Sequence, residues 1–151
     1  MKKSLYDGIE NVNVLLANFI PGYSPIRIEK GKKVIDIDKS VERMSRVNWD
    51  DKSEGSEARI ILENFRFLKT HILNFLLVFQ RHLTQKQNKM LYRISNSSFE
   101  QLITPNICPR NDVRQQIIDK YKEILENNRE LQTIAGYLSN REVIPIAGSQ
   151  Q

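Results

Sequence analysis

Ile61, Phe65, Leu68, Ile72, Leu76, Phe79 and Leu83 recur in steps of four or three residues. That period is close to the 3.6 residues of an α-helical turn, so one side of a single long helix is apolar for about six turns. A stripe of this length must be covered by other elements, and packed helices offer the matching ridges and grooves. Leu73, Leu77 and Val78 add apolar surface outside the stripe, which predicts a helix at 57–83 lying at the centre of a bundle. The run is too short to cross a membrane. Lys69 and Arg81 bracket eleven uncharged residues, Asn74 among them, where a span needs about 20 apolar ones.

The other segments supply neighbours for that helix. Leu5, Ile9, Val12, Leu15, Leu16 and Phe19 share one helical face, with Ser4 as the expected N-cap and Pro21-Gly22 as the stop. Around Lys30-Gly31-Lys32-Lys33 the period changes: Ile26, Ile28, Val34, Ile35 and Ile37 alternate, which predicts a small β-hairpin near 26–37. Val41, Met44 and Val47 sketch one or two helical turns, and residues 50–56 read as a mobile loop.

Thr84 and Gln87 spell a capping box, which ends the long helix near His82 and starts a second one reaching about Ser95. Met90, Leu91 and Ile94 are its inward side. Ser97-Ser98 then caps a short helix that Pro105 ends, residues 105–110 form a loop, and Asn111 or Asp112 opens the last long helix. Its stripe is Val113, Ile117, Tyr121, Ile124, Leu131, Ile134 and Leu138. Residues 140–151 read as a flexible tail, with Val143-Ile144 as a candidate short strand. The expected fold is mainly α: a single-domain bundle of four to five helices around the central hydrophobic helix, with a small hairpin.

A chain of 151 residues suits one such domain and can bury a core without covalent staples. Cys108 is the single cysteine, so one chain can form neither a disulfide nor a cysteine-based zinc site, and Cys108 is expected to be a free thiol. Nothing ahead of Leu5 reads as a signal peptide. A reducing cytoplasm is the expected compartment.

The formal charge of +5 is unevenly spread. Residues 84–110 hold Lys86, Lys89, Arg93 and Arg110 against Glu100 alone, whereas residues 111–151 hold five basic and six acidic side chains. Lys86, Lys89 and Arg93 stand at i, i+3 and i+7, one stripe of the second helix, and with Arg110 they are the candidate binding residues. On the last helix Glu123, Glu126 and Glu130 alternate with Lys120, Lys122 and Arg129, the pattern of an ion-paired solvent face. Phosphate-binding glycine loops, nucleophile elbows, zinc-binding His-Glu-x-x-His and calcium loops are all missing from the sequence. No metal or cofactor is expected.

Two resemblances bear on function. Arg66, followed five residues later by His71, resembles the signature of HEPN ribonucleases, small helical bundles that usually cleave RNA as dimers. The resemblance implies Arg66 and His71 as candidate catalytic residues; Phe67 stands where that family usually has a polar residue. On one continuous helix the two side chains point about 140° apart. The other reading of the pair is therefore a histidine at the core boundary, hydrogen-bonded to a neighbour, and a surface arginine. His82 falls eleven residues beyond His71, about 16 Å along a helix, too far for a shared metal.

The succession of helix, short helix, turn and longer helix over 84–122 looks like a helix-turn-helix, winged as in MarR-type regulators. That likeness implies phosphate contacts from the basic stripe. Against it, Asp112, Asp119 and Glu123 lie on the helix that would enter the groove. The leading expectation is a non-enzymatic helical binding or adaptor protein with a protein partner in a larger assembly. A nucleic-acid binder is the alternative, a HEPN-like ribonuclease the third, and self-association is compatible with all three.

Overall fold

Apolar residues at three- and four-residue spacing put most of the chain into α-helix, and the one alternating segment forms a hairpin. The computed structural model describes residues 2–51, 53–103 and 111–147, with side chains over 7–31, 33–51, 53–102 and 112–131. Its elements run α1 (Lys2–Ala17), β1 (Ile26–Glu29), β2 (Lys32–Ile35), α2 (Ile37–Ser45), α3 (Glu57–Phe79), a 3-10 turn at Gln80–His82, α4 (Gln85–Ser95), α5 (Phe99–Ile103) and α6 (Asn111–Ala147).

Local chemistry sets most of these boundaries. Helix α1 begins at Lys2, so Ser4 lies within its first turn and is not the N-cap. The hairpin is antiparallel with Ile26 opposite Ile35, and Lys30 and Gly31 make its turn with φ of 52° and 77°. Two positive φ angles give the turn a twist that matches its strands. Ile37 does not continue the strand. Asp36 accepts the backbone N–H of Lys39 and caps α2 directly after β2. Ser56 caps α3 in the same way, through the N–H of Arg59. At Thr84 both halves of the capping box form, the Thr84 hydroxyl accepting from Gln87 N–H and the Gln87 carboxamide accepting from Thr84 N–H. Helix α6 continues through Val143 and Ile144, which are helical and not a strand. Its backbone thus includes part of the segment read as a tail, and residues 148–151 lie outside the described residues.

The core forms where α1, α3 and α6 close over the shorter elements. Every described member of the α3 stripe from Ile61 to Leu76 is buried, with Phe79 and Leu83 partly covered. Five rings from five segments meet in its middle. Phe99 of α5 lies 5.4 Å from Phe65 of α3, 5.7 Å from Phe19 after α1, and edge-on to Trp49 after α2, while Tyr121 of α6 stacks on Phe19 at 5.5 Å. Such pairs add about 0.5–1.5 kcal/mol each beyond the area they bury. The Tyr121 hydroxyl meets the buried Ser40, whose own hydroxyl donates to the Asp36 carbonyl, and burial pushes the phenol well above its usual range.

One expectation fails on α3. Leu77 and Val78 are 76% and 66% exposed, and Leu73 is exposed as well. Helix α3 packs against α1, α4 and α5, whereas α6 reaches α1, α2, α4 and α5. The stripe is buried, but the added apolar surface has no element over it among the described residues.

Candidate binding face

Helix α3 has two sides because its neighbours approach from only part of its circumference. Toward α1, His71 Nε2 donates to the Gly8 carbonyl at 3.2 Å, and Asn64 donates to the Phe19 carbonyl at 2.7 Å. A carbonyl only accepts, so Nε2 carries the hydrogen. Toward α5, Arg66 pairs with Glu100 at 2.9 Å and Lys69 approaches the same carboxylate at 3.7 Å.

Between these two flanks lies an open strip. Phe67, Thr70, Asn74 and Leu77 recur in steps of three, four and three, and all are exposed, with Val78 beside them. Phe67 is 70% exposed. Arg81, four residues beyond Leu77, follows in the 3-10 turn and is exposed too. His82 is also exposed and rests edge-on against Phe79 at 6.4 Å.

The strip carries a charge of each sign at its ends, exposed Glu63 four residues before Phe67 and exposed Arg81 four residues after Leu77. From residue 64 to residue 99 the chain carries Arg66, Lys69, Arg81, Lys86, Lys89 and Arg93 and no aspartate or glutamate. Glu100 engages the first two of these cations. Lys86, Lys89 and Arg93 are exposed together on α4, opposite the buried Met90, Leu91 and Ile94, and Tyr92 is 41% exposed beside them. Arg110 and Cys108 lie outside the described residues, as does the loop at 105–110.

The structure therefore brings Lys86, Lys89 and Arg93 onto one face of α4. It does not bring Arg66 and His71 together: one is bonded toward α5 and the other toward α1. In the 84–122 segment, α6 packs with one side along α1, α2, α4 and α5 and exposes Gln115, Gln116, Asp119, Lys122 and Glu123 on the other. Arg114 near its start pairs with Asp50 at 2.7 Å. Among the described residues no group of three or more His, Cys, Asp or Glu gathers where it could hold a metal, and no helix is long and apolar enough to cross a membrane.

Phe67, Leu77 and Val78 are the residues of this face that sequence reasoning did not single out as binding residues. Their signal was present: none belongs to the stripe of Ile61 and Phe65, yet all are large and apolar. No protein family's profile matches the chain, no curated protein is similar to it in sequence, and no solved structure matches its fold.

Proposed function

We propose that this chain is a non-enzymatic helical binding protein, an adaptor that acts in the cytoplasm as one component of a larger protein assembly. The observation that carries this reading is the open side of α3. Phe67, Leu77 and Val78 are each at least 66% exposed on one short length of helix. Single exposed apolar side chains are ordinary on protein surfaces, but large ones gathered with a polar rim mark interaction sites. Glu63 and Arg81, exposed at the two ends of the strip, add charges that select among partners.

Site-specific photo-crosslinking tests it. A photoreactive amino acid at position 77, in cells that naturally produce the protein, should give a crosslinked species of discrete mass, and the same group at exposed Glu54 should not. Absence of any position-77 product would remove the support for the reading.

A second reading, nucleic-acid binding, draws on a different observation: Lys86, Lys89 and Arg93 lie to one side of an exposed tyrosine, and no acidic side chain pairs with them among the described residues. Cations with an aromatic ring suit a phosphate backbone and an unstacked base. Reversing all three cations to glutamate and titrating single-stranded RNA and duplex DNA across a salt series tests this directly. Binding through the stripe would collapse on reversal, and its salt slope would flatten by up to about three units.

A further inference from the structure

We infer that the open side of α3 is covered by a second copy of this chain, whose own α3 runs antiparallel across it, so that Glu63 of each copy meets Arg81 of the other. This rests on the reading of that side as a protein-binding face and names its occupant.

The order of residues along the strip is the first reason. Glu63, Phe67, Thr70, Asn74, Leu77 and Arg81 are all exposed and advance by four, three, four, three and four residues, the spacing at which one helix meets another along a seam. The series reads the same from either end: charged, apolar, polar, polar, apolar, charged. Its midpoint is the level of Ile72. In a two-fold contact the same patch meets itself, and residue i touches j wherever j touches i. An antiparallel pair of α3 helices with its axis at that level therefore sets Phe67 against Leu77 and Thr70 against Asn74. The last two bring a hydroxyl and a carboxamide, each able to donate and to accept, so neither is stranded when covered.

Charge is the second reason, and it fixes the direction. Glu63 and Arg81 have opposite signs, and neither has an ion-pair partner among the described residues. Antiparallel pairing joins them twice, at points about 27 Å apart for the helical rise between them. Parallel pairing would set Glu63 against Glu63 and Arg81 against Arg81, which repel. The other charges near the strip do not oppose this register. Arg66 and Lys69 stay with Glu100 of their own chain, and Arg59, one turn before Glu63, is likewise engaged within its own chain. Arg66 falls opposite the neutral Gln80 of the other copy, while the exposed Leu73 falls beside its own equivalent. One helix per copy makes an interface of the small class, below about 1,200 Å² of buried surface, so the chain should be monomeric when dilute and pair at micromolar concentrations.

Sedimentation equilibrium of the full chain across micromolar concentrations tests both the pairing and its register. The protein should pass from monomer to dimer, and Leu77→Asp, which sets a carboxylate against Phe67 of the other copy, should leave it monomeric. Glu63→Arg and Arg81→Glu should each weaken association about tenfold, because two-fold symmetry turns two attractions into two repulsions. Combining both changes in one chain should restore it. Mixing the two single variants should restore it as well, since each supplies the charge that the other needs. Ile28→Ser, at an exposed apolar position on the hairpin, should change nothing, and circular dichroism should show every variant folded.

A monomer at every concentration would overturn the proposal, as would a dimer that survives Leu77→Asp. Charge reversals that leave association unchanged, or a combined reversal that fails to restore it, would overturn the antiparallel register and the proposal with it. The crosslinking at position 77 answers separately for the binding-protein reading. A product of twice the chain's mass supports the second copy, whereas a product of another mass would replace that occupant with a different protein and leave the reading in place.

Discussion

Gly8 of α1 and Phe75 of α3 are so close that a Cβ at position 8 would overlap the aromatic ring. The neighbouring contact fixes the same spot, because His71, one turn before Phe75, donates to the Gly8 carbonyl. Glycine is therefore required here by the approach of two helices. Alanine in place of a mid-helix glycine usually gains up to about 1 kcal/mol in propensity. Here the ring is 94% covered and packed against Phe79 at 4.9 Å, so it has little room to retreat (its exposure is 6%). We expect Gly8→Ala to destabilise by about 1–3 kcal/mol, and Gly8→Ala with Phe75→Leu to recover part of the loss. Urea unfolding of the three variants checks the sign, which is the informative quantity.

Leu76 and Leu77 are adjacent in sequence and opposite in environment, 2% and 76% exposed. Leu76→Ala empties a core site and should cost about 2–5 kcal/mol. Leu77→Ala should stay within about 0.5 kcal/mol, since it removes little buried contact. Equal losses in denaturant melts would mean that the open side of α3 is covered in solution.

Asn13 of α1 and Asn128 of α6 form a buried polar pair at 3.4 Å, and the Asn128 Oδ1 has no hydrogen-bond partner among the described residues. Replacing Asn13 alone with leucine strands the Asn128 amide, at a cost of about 1–3 kcal/mol. Replacing both should cost less than the sum of the single changes, because the second removes the stranded group. A double-mutant cycle from chemical denaturation measures that coupling.

Glu10 carries a pH dependence. Partial burial, helped by the nearby Asp7 carboxylate, raises its pKa above the usual 4.5. The folded protein then holds this proton to higher pH than the unfolded chain does. Stability from this group therefore falls as pH rises from about the usual glutamate value through the raised one. Glu10→Gln should stabilise the protein at pH 7, and the advantage should vanish in acid below the ordinary glutamate range. Thermal melts across that interval test both halves.

Much of the architecture could be read from local pattern, for identifiable reasons. The Ile61–Leu83 stripe, the Thr84–Gln87 capping box and the Lys30-Gly31 turn each depend on residues a few positions apart, and each is present. What could not be read depends on distant partners. Trp49 sits in a polar, aperiodic stretch, yet it is 1% exposed because Phe99, fifty residues later, packs against its ring. Glu100 neutralises Arg66 across 34 residues, which no charge count over a window reveals. Periodicity locates apolar residues on a helix, but whether Leu77 faces a neighbour depends on where α1 and α4 lie. The candidate face is hidden in the sequence for that reason: Leu77 and Val78 read as surface to be covered in a bundle, and they are exposed.

Helix α6 packs against α1 and against three of the four α-helices between, α2, α4 and α5. The core position of Phe19 is completed by Tyr121, a residue synthesised a hundred positions later. A nascent chain that has emerged only through Phe99 therefore shows the side of α1 that belongs against α6, and it cannot bury that side by itself. Contacts between the chain's beginning and its final third slow the search for the native state and leave apolar surface open to other chains while translation proceeds. The vulnerable interval closes only when Ile117, Tyr121, Ile124 and Leu131 have left the ribosome. Ribosome pauses placed before that point would prolong exposure of the nascent protein to chaperones and proteases, whereas pauses placed after it would not.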